Sequence, residues 1–209
     1  MASALISDIY AGKLRVLVEL ISRALDSDAP DYANFEEKDV NGCSLLETLT
    51  VLGEWQLIEK LVTKNKDIFE PNLYGYDIVH LAAIWDNEKL IKAMYFCGID
   101  LKGYTALGED AITLAKRYHS ENAIKMFAWI ELRESFLALI QQARNILKSA
   151  DKMGIKLTKE ERRSAEAACT EKENWLNFSI SRSLEELKAK KEHLELIVEP
   201  IFTKFDDEV

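Results

Sequence analysis

Apolar residues recur at helical spacing along most of the chain, and between residues 42 and 131 the pattern itself repeats. Gly42, Gly75 and Gly108 stand at intervals of 33. Counting from each glycine, offset 4 holds Leu46, Val79 and Ile112, offset 16 Ile58, Ile91 and Ile124, and offset 19 Leu61, Met94 and Phe127. Two short apolar clusters per period predict a pair of amphipathic helices in each repeat. Ser44, Asp77 and Asp110, all at offset 2, suit the cap of a first helix, because each side chain accepts hydrogen bonds from the unpaired N–H groups there. Ser44 with Glu47 also fits a capping box. Offset 23 holds Asn65 and then Gly98, the residue types that best tolerate a left-handed helix end, but Glu131 in the last repeat, where the helix is free to continue.

Downstream, no Gly or Pro lies between Gly108 and Gly154. From Phe136 the apolar residues fall at 136, 139, 140, 143, 146, 147 and 150, which predicts a long helix. Thr158 with Glu161 and Ser183 with Glu186 are capping boxes opening two more, and Pro200 predicts the end of the last or a kink in it. With 8 Gly and 3 Pro in 209 residues, the chain lacks the turn residues of an all-β fold. The fold class is all-α.

The segment Gly75-Tyr76-Asp77-Ile78-Val79-His80-Leu81-Ala82-Ala83 resembles the ankyrin repeat, matching its G-x-T-P-L-H-x-A-A pattern at five or six positions. The family's Pro is replaced by Leu45, Ile78 and Ala111, and its His survives only as His80. A degenerate copy precedes these repeats: Gly12 takes the place of Gly53, and Leu17, Leu20 and Ile21 those of Ile58, Leu61 and Val62. The extra residues fall in Asp26–Asp39, an acidic segment expected to be an exposed, solvated loop.

Residues from about 133 to 205 resemble the α-helical lid of 70-kDa heat-shock chaperones, in Leu157-Thr158-Lys159-Glu160-Glu161, Asn174-Trp175-Leu176 and Glu192 to Ile201. The chain has no counterpart of their ATPase or peptide-gripping domains. The expected organisation is an ankyrin-repeat solenoid over 1–131, with repeats 1–38, 39–71, 72–104 and 105–131, followed by a helical bundle over 132–209. That arrangement resembles the ankyrin repeat domain-containing protein 45-like family. The resemblance implies a non-enzymatic role, with cell division and cilia as settings.

Composition narrows the function. Hydrophobic residues at 48% and charged residues at 30% describe a globular chain. A net charge of −9 disfavours nucleic acid as a partner. The longest uncharged run, Ser135–Ala143, is too short to cross a bilayer. The start, Met1-Ala2-Ser3-Ala4-Leu5-Ile6, lacks a signal-peptide pattern, and Cys43, Cys97 and Cys169 suit neither a disulfide framework nor a zinc site, so a reduced, cytoplasmic chain is expected. The ciliary axoneme and division-associated structures are the particular settings that the resemblance adds.

No phosphate-binding glycine motif occurs, and His80, His119 and His193 lie far apart without other metal ligands nearby. We therefore expect no catalytic residues, cofactor or metal. His80 resembles the ankyrin histidine that bonds backbone between repeats. The final Asp207-Glu208-Val209 is at most a weak match to a C-terminal carboxylate ligand.

The most suggestive positions are offset 10, held by Leu52, Trp85 and Tyr118, and offset 9, which adds Val51 and Ile84. In ankyrin proteins this is the end of the inner helices, beside the surface where partners dock. Leu52, Ile84, Trp85 and Tyr118 are the candidate partner-binding residues; the alternative is that they pack between repeats or against the bundle. The expected function is a protein–protein adaptor or assembly subunit that uses the repeat groove and the bundle. A chaperone-associated factor binding apolar segments through the bundle is the runner-up.

Overall fold

In a computed structural model, which describes Glu19 and residues 44–64, 71–72, 74–153, 157–177 and 182–206, the fold is all-α. The helices are α1 Leu45–Val51, α2 Trp55–Lys64, α3 Ile78–Ile84, α4 Glu88–Phe96, α5 Ala111–Arg117, α6 Glu121–Met153, α7 Lys159–Asn177 and α8 Leu184–Asp206. Two compact units divide between Phe127 and Ala128. The degenerate copy about Gly12, the acidic segment Asp26–Asp39, Asn65, Gly154 and Asp207-Glu208-Val209 lie outside the described residues.

In the first unit the helices alternate between inner and outer positions. Inner helices stack α1 on α3 on α5, and outer helix α2 packs on α4. Each inner helix starts at its expected cap: Ser44 Oγ accepts the Glu47 N–H, Asp77 the Val79 and His80 N–H groups, and Asp110 the Thr113 N–H. The Glu47 carboxylate returns a bond to the Ser44 N–H at 2.8 Å, closing the box. Ile58, Leu61, Leu90, Ile91 and Met94 are fully buried between the helices. Each contributes roughly 1.5–3 kcal/mol by leaving water, so the stack is held chiefly by these apolar contacts. Ile112, on the last inner helix, is only partly buried.

Outer helix α4 ends as expected at Gly98, whose φ of 74° is the left-handed cap. The third outer helix does not stop at Glu131; α6 runs on to Met153.

The loops before the inner helices turn through Gly75 and Gly108, both at φ 75°. They differ in what surrounds them. A Cβ on Gly75 would lie 2.6 Å from the Ala106 nitrogen, the group that donates to the Tyr74 carbonyl and ties one repeat to the next. A Cβ on Gly108 would meet nothing within 4 Å.

The second unit is built from α7, α8 and the part of α6 beyond Phe127. Phe136, Ile140, Ala143 and Leu147 form the buried stripe of α6, and Leu187, Leu194, Val198 and Ile201 that of α8. The stripe of α7 begins with small residues, Ala165, Ala168 and Cys169, and continues with the larger Lys172 and Leu176. Trp129 Nε1 donates to the Arg182 carbonyl at 3.1 Å. Both downstream capping boxes form, Thr158 with Glu161 and Ser183 with Glu186. Pro200 does not end α8, which continues to Asp206. The bond that proline cannot donate is the one to Leu196, and both residues are exposed, so the freed carbonyl faces water.

Two ion pairs join the bundle helices, Arg144–Glu173 and Lys204–Glu161, each at 2.6 Å. The Lys204 ammonium, with the Thr158 amide and hydroxyl, holds the Glu161 carboxyl down at about 2.

Two outcomes are expected. Gly108→Ala should cost about 1–2 kcal/mol for the left-handed backbone alone, and Gly75→Ala at least about 1 kcal/mol more for the added clash. Denaturant titrations of the two variants check this, and equal losses would refute the role of the tight approach at Gly75. For Glu161, a carboxyl with a lowered folded pKa stabilises fully above its ordinary value of 4.5 and progressively less as pH falls towards about 2. Glu161→Gln should therefore reduce the acid sensitivity of the bundle in that window, followed by circular dichroism; a profile identical to wild type would contradict the pairing.

Candidate functional site

Leu52, Trp85 and Tyr118 are the C-caps of α1, α3 and α5. Their backbones agree closely, with φ of −77°, −88° and −91° and ψ of −8°, 14° and 5°. Each cap N–H still bonds four residues back, to the Thr48, Leu81 and Leu114 carbonyls. The following residues, Gly53, Asp86 and His119, all have positive φ, at 78°, 54° and 56°. One residue further, the Glu54, Asn87 and Ser120 N–H groups reach back five positions, to Leu49, Ala82 and Ala115. This is the Schellman closure, made three times over.

The consequence for the side chains is direct. As the chain leaves the helix at the cap, the residue there is carried away from the buried stripe. Leu52 is 44% exposed, Trp85 55% and Tyr118 52%. Because α1, α3 and α5 stack in order, these exposed groups repeat along one end of the inner layer. Val51 is exposed as well. Ile84 is only partly buried, and its carbonyl accepts the Ser120 hydroxyl of the next repeat at 3.1 Å. In the third repeat offset 9 is Arg117, whose guanidinium lies 5.3 Å from the centre of the Tyr118 ring and pairs with Glu109 at 2.6 Å.

Asp86 explains why a non-glycine residue accepts the left-handed turn. Its carboxylate takes the Ala123 N–H at 2.7 Å and the Asn122 amide at 2.8 Å, so it caps the start of α6 from the preceding repeat. Helical periodicity and residue type alone do not reveal this role. The signal was present in the register, since Asp86 occupies the offset of Gly53.

Two further exposed apolar groups, Tyr74 at 70% and Leu107 at 78%, are likewise not revealed by periodicity. They sit at offset −1, on the loops that enter α3 and α5. Those helices have seven residues, a length of about 10 Å. Apolar side chains are thus displayed at both ends of the inner layer.

His80 is buried and structural. Its Nε2 lies 3.2 Å from the Gly103 carbonyl, on the loop that leads towards α5, and its Nδ1 2.8 Å from the Asp77 carboxylate. Burial pulls its pKa down, but the Asp77 carboxylate and the Gly103 carbonyl outweigh that effect and leave it above the usual 6.5. No cluster of three or more His, Cys, Asp or Glu suited to a metal ion occurs among the described residues. Nor is any helix among them long and apolar enough to cross a membrane.

Stacked helix pairs of one period, joined through repeated glycine turns and Schellman closures, give an all-α repeat fold similar to the ankyrin repeat. No family model matches the chain. It is similar to ankyrin repeat domain-containing protein 45 of Danio rerio, 26% identical over 132 residues, covering 63% of this chain and 59% of that protein. It is also similar to ankyrin repeat domain-containing protein 45 of Homo sapiens, 29% identical over 168 residues, covering 80% of this chain and 63% of that one. The chain is thus similar to the ankyrin repeat domain-containing protein 45-like family over most of its length. The chain spans about six-tenths of the length of these relatives.

Because Trp85 is half exposed, Trp85→Ala should cost only about 1 kcal/mol. Ile91→Ala, in the core of the same repeat, should cost about 2–5 kcal/mol. Thermal denaturation of both variants distinguishes the assignments, and a large loss at Trp85 would show that its ring packs in the core.

Proposed function

We propose that the chain is a non-enzymatic adaptor or structural assembly subunit whose repeats, over 1–38, 39–71, 72–104 and 105–131, hold a protein partner, and whose bundle, over 132–209, offers a second face. One observation carries this reading: Leu52, Trp85 and Tyr118 occupy equivalent backbone positions and all stand exposed, while the apolar residues one turn away are buried. Large apolar groups kept in water are costly unless something covers them, and Trp and Tyr contribute disproportionately to interface energy. Ile84 borders the row. The mechanism is surface complementarity, requiring no cofactor. Cytoplasm, cilia and division-associated structures are the settings this reading favours, through the family resemblance. The net charge of −9 favours a partner with a basic segment.

The test is affinity capture from native extract of ciliated cells, comparing wild type with a Leu52→Ala, Trp85→Ala, Tyr118→Ala variant that melts normally. Loss of one or two stoichiometric partners from the variant supports the row. Capture of chaperones and mixed clients by both proteins overturns it in favour of a chaperone-associated role for the bundle.

A further inference from the structure

The bundle has an exposed feature that its own packing does not require. Along α8, Leu187, Leu194, Val198 and Ile201 face the core, yet Leu196 points outward and is 71% exposed. Leu196 lies in a groove of about 610 Å³ formed with α6, where Leu139, Val198 and Phe202 are the other apolar lining residues. Glu192, Glu195 and Glu199 line the same groove. Their spacing of three and four residues places the carboxylates along one side over two turns, about 10 Å.

Two lysines are paired with these acids, Lys191 with Glu195 at 3.3 Å and Lys188 with Glu192 at 4.0 Å. Both are i,i+4 pairs on the helix surface, and such pairs are weak and screened by salt. They leave the carboxylates available to a better-placed cation.

We propose that this groove on α6 and α8 docks a short basic amphipathic helix of a partner protein: one or two leucine-sized side chains enter beside Leu139, Leu196 and Phe202, and lysines or arginines spaced over two turns pair with Glu192, Glu195 and Glu199. The charge pattern selects this occupant. A purely apolar segment would bring no cation of its own to Glu192, Glu195 and Glu199, two of which have only weak surface pairs with Lys188 and Lys191. An acidic segment would meet like charge. The inference deepens the adaptor reading by giving the bundle a defined face of its own, and it does not depend on the repeat row.

The experiment titrates the full chain with a fluorescent 14-residue synthetic helix carrying leucines on one face and lysines on the other, at physiological salt. Controls are the same peptide with serines for leucines and with glutamates for lysines. Saturable binding of the first peptide is expected, with at least tenfold weaker binding of both controls. Leu196→Ser, Leu196→Arg and the triple change Glu192→Gln, Glu195→Gln, Glu199→Gln should each weaken it at least tenfold without altering the thermal melt, because all these positions lie on the helix surface. A triple change of exposed acids elsewhere, Glu160→Gln, Glu166→Gln, Glu185→Gln, should alter affinity less than twofold, as should Trp85→Ala. Equal losses from both triple changes would reduce the binding to general charge attraction and overturn the proposal, and so would the absence of saturable binding. A loss confined to Trp85→Ala would place the peptide on the repeats, refuting the groove while leaving the adaptor reading intact.

Discussion

The chain reversal between inner and outer helix is the element on which the rest of the repeat unit depends. At Leu52-Gly53-Glu54, Trp85-Asp86-Asn87 and Tyr118-His119-Ser120 the same three backbone states and the same back-bonds recur. That closure satisfies the last carbonyls of each seven-residue inner helix, which is too short to be stable alone. It aims the next helix back along the first, so that Ile58, Leu61, Leu90, Ile91 and Met94 meet in a continuous core. It also decides what is shown to solvent, since the residue at the cap is carried off the buried face.

Stability and display are thereby assigned to neighbouring positions of one helix. Ala82 and Ala83 are buried, and Trp85 is in water two residues later. The inter-repeat bonds follow the same economy. Asp86 and Ser120 each join one repeat to the next through a side chain placed at a helix end, and His80 ties α3 to the loop leading towards α5, so the cap residues are held in register by the joints beside them.

Much of this was legible in the sequence. The 33-residue period, the offset-2 caps, Gly98 and both bundle capping boxes depend on local rules in which residue type and backbone state are tightly linked. What escaped was of another kind. Asp86 and His119 adopt a glycine-like backbone, so composition did not reveal the turn, although register with Gly53 did. Pro200 reads as a helix end or a kink, yet its missing bond falls on the exposed face of a helix that continues to Asp206. An apolar residue at a helix end looks the same whether packed or displayed, so the exposure of Trp85 required the three-dimensional path. Likewise Glu192, Glu195 and Glu199 follow directly on Lys188, Lys190 and Lys191, a pattern indistinguishable from a solvated face until Leu139 is seen beside Leu196.

The central claim is that the cap row is displayed rather than packed. The most direct measurement is acrylamide quenching of a chain in which Trp55, Trp129 and Trp175 are replaced by Phe, leaving Trp85 as the sole indole, compared with the corresponding chain that retains only Trp129. Trp85, 55% exposed, is expected to be quenched several-fold more efficiently than Trp129, whose ring is buried. If Trp85 proves as shielded as Trp129, the row belongs to the core and the proposed docking surface does not exist.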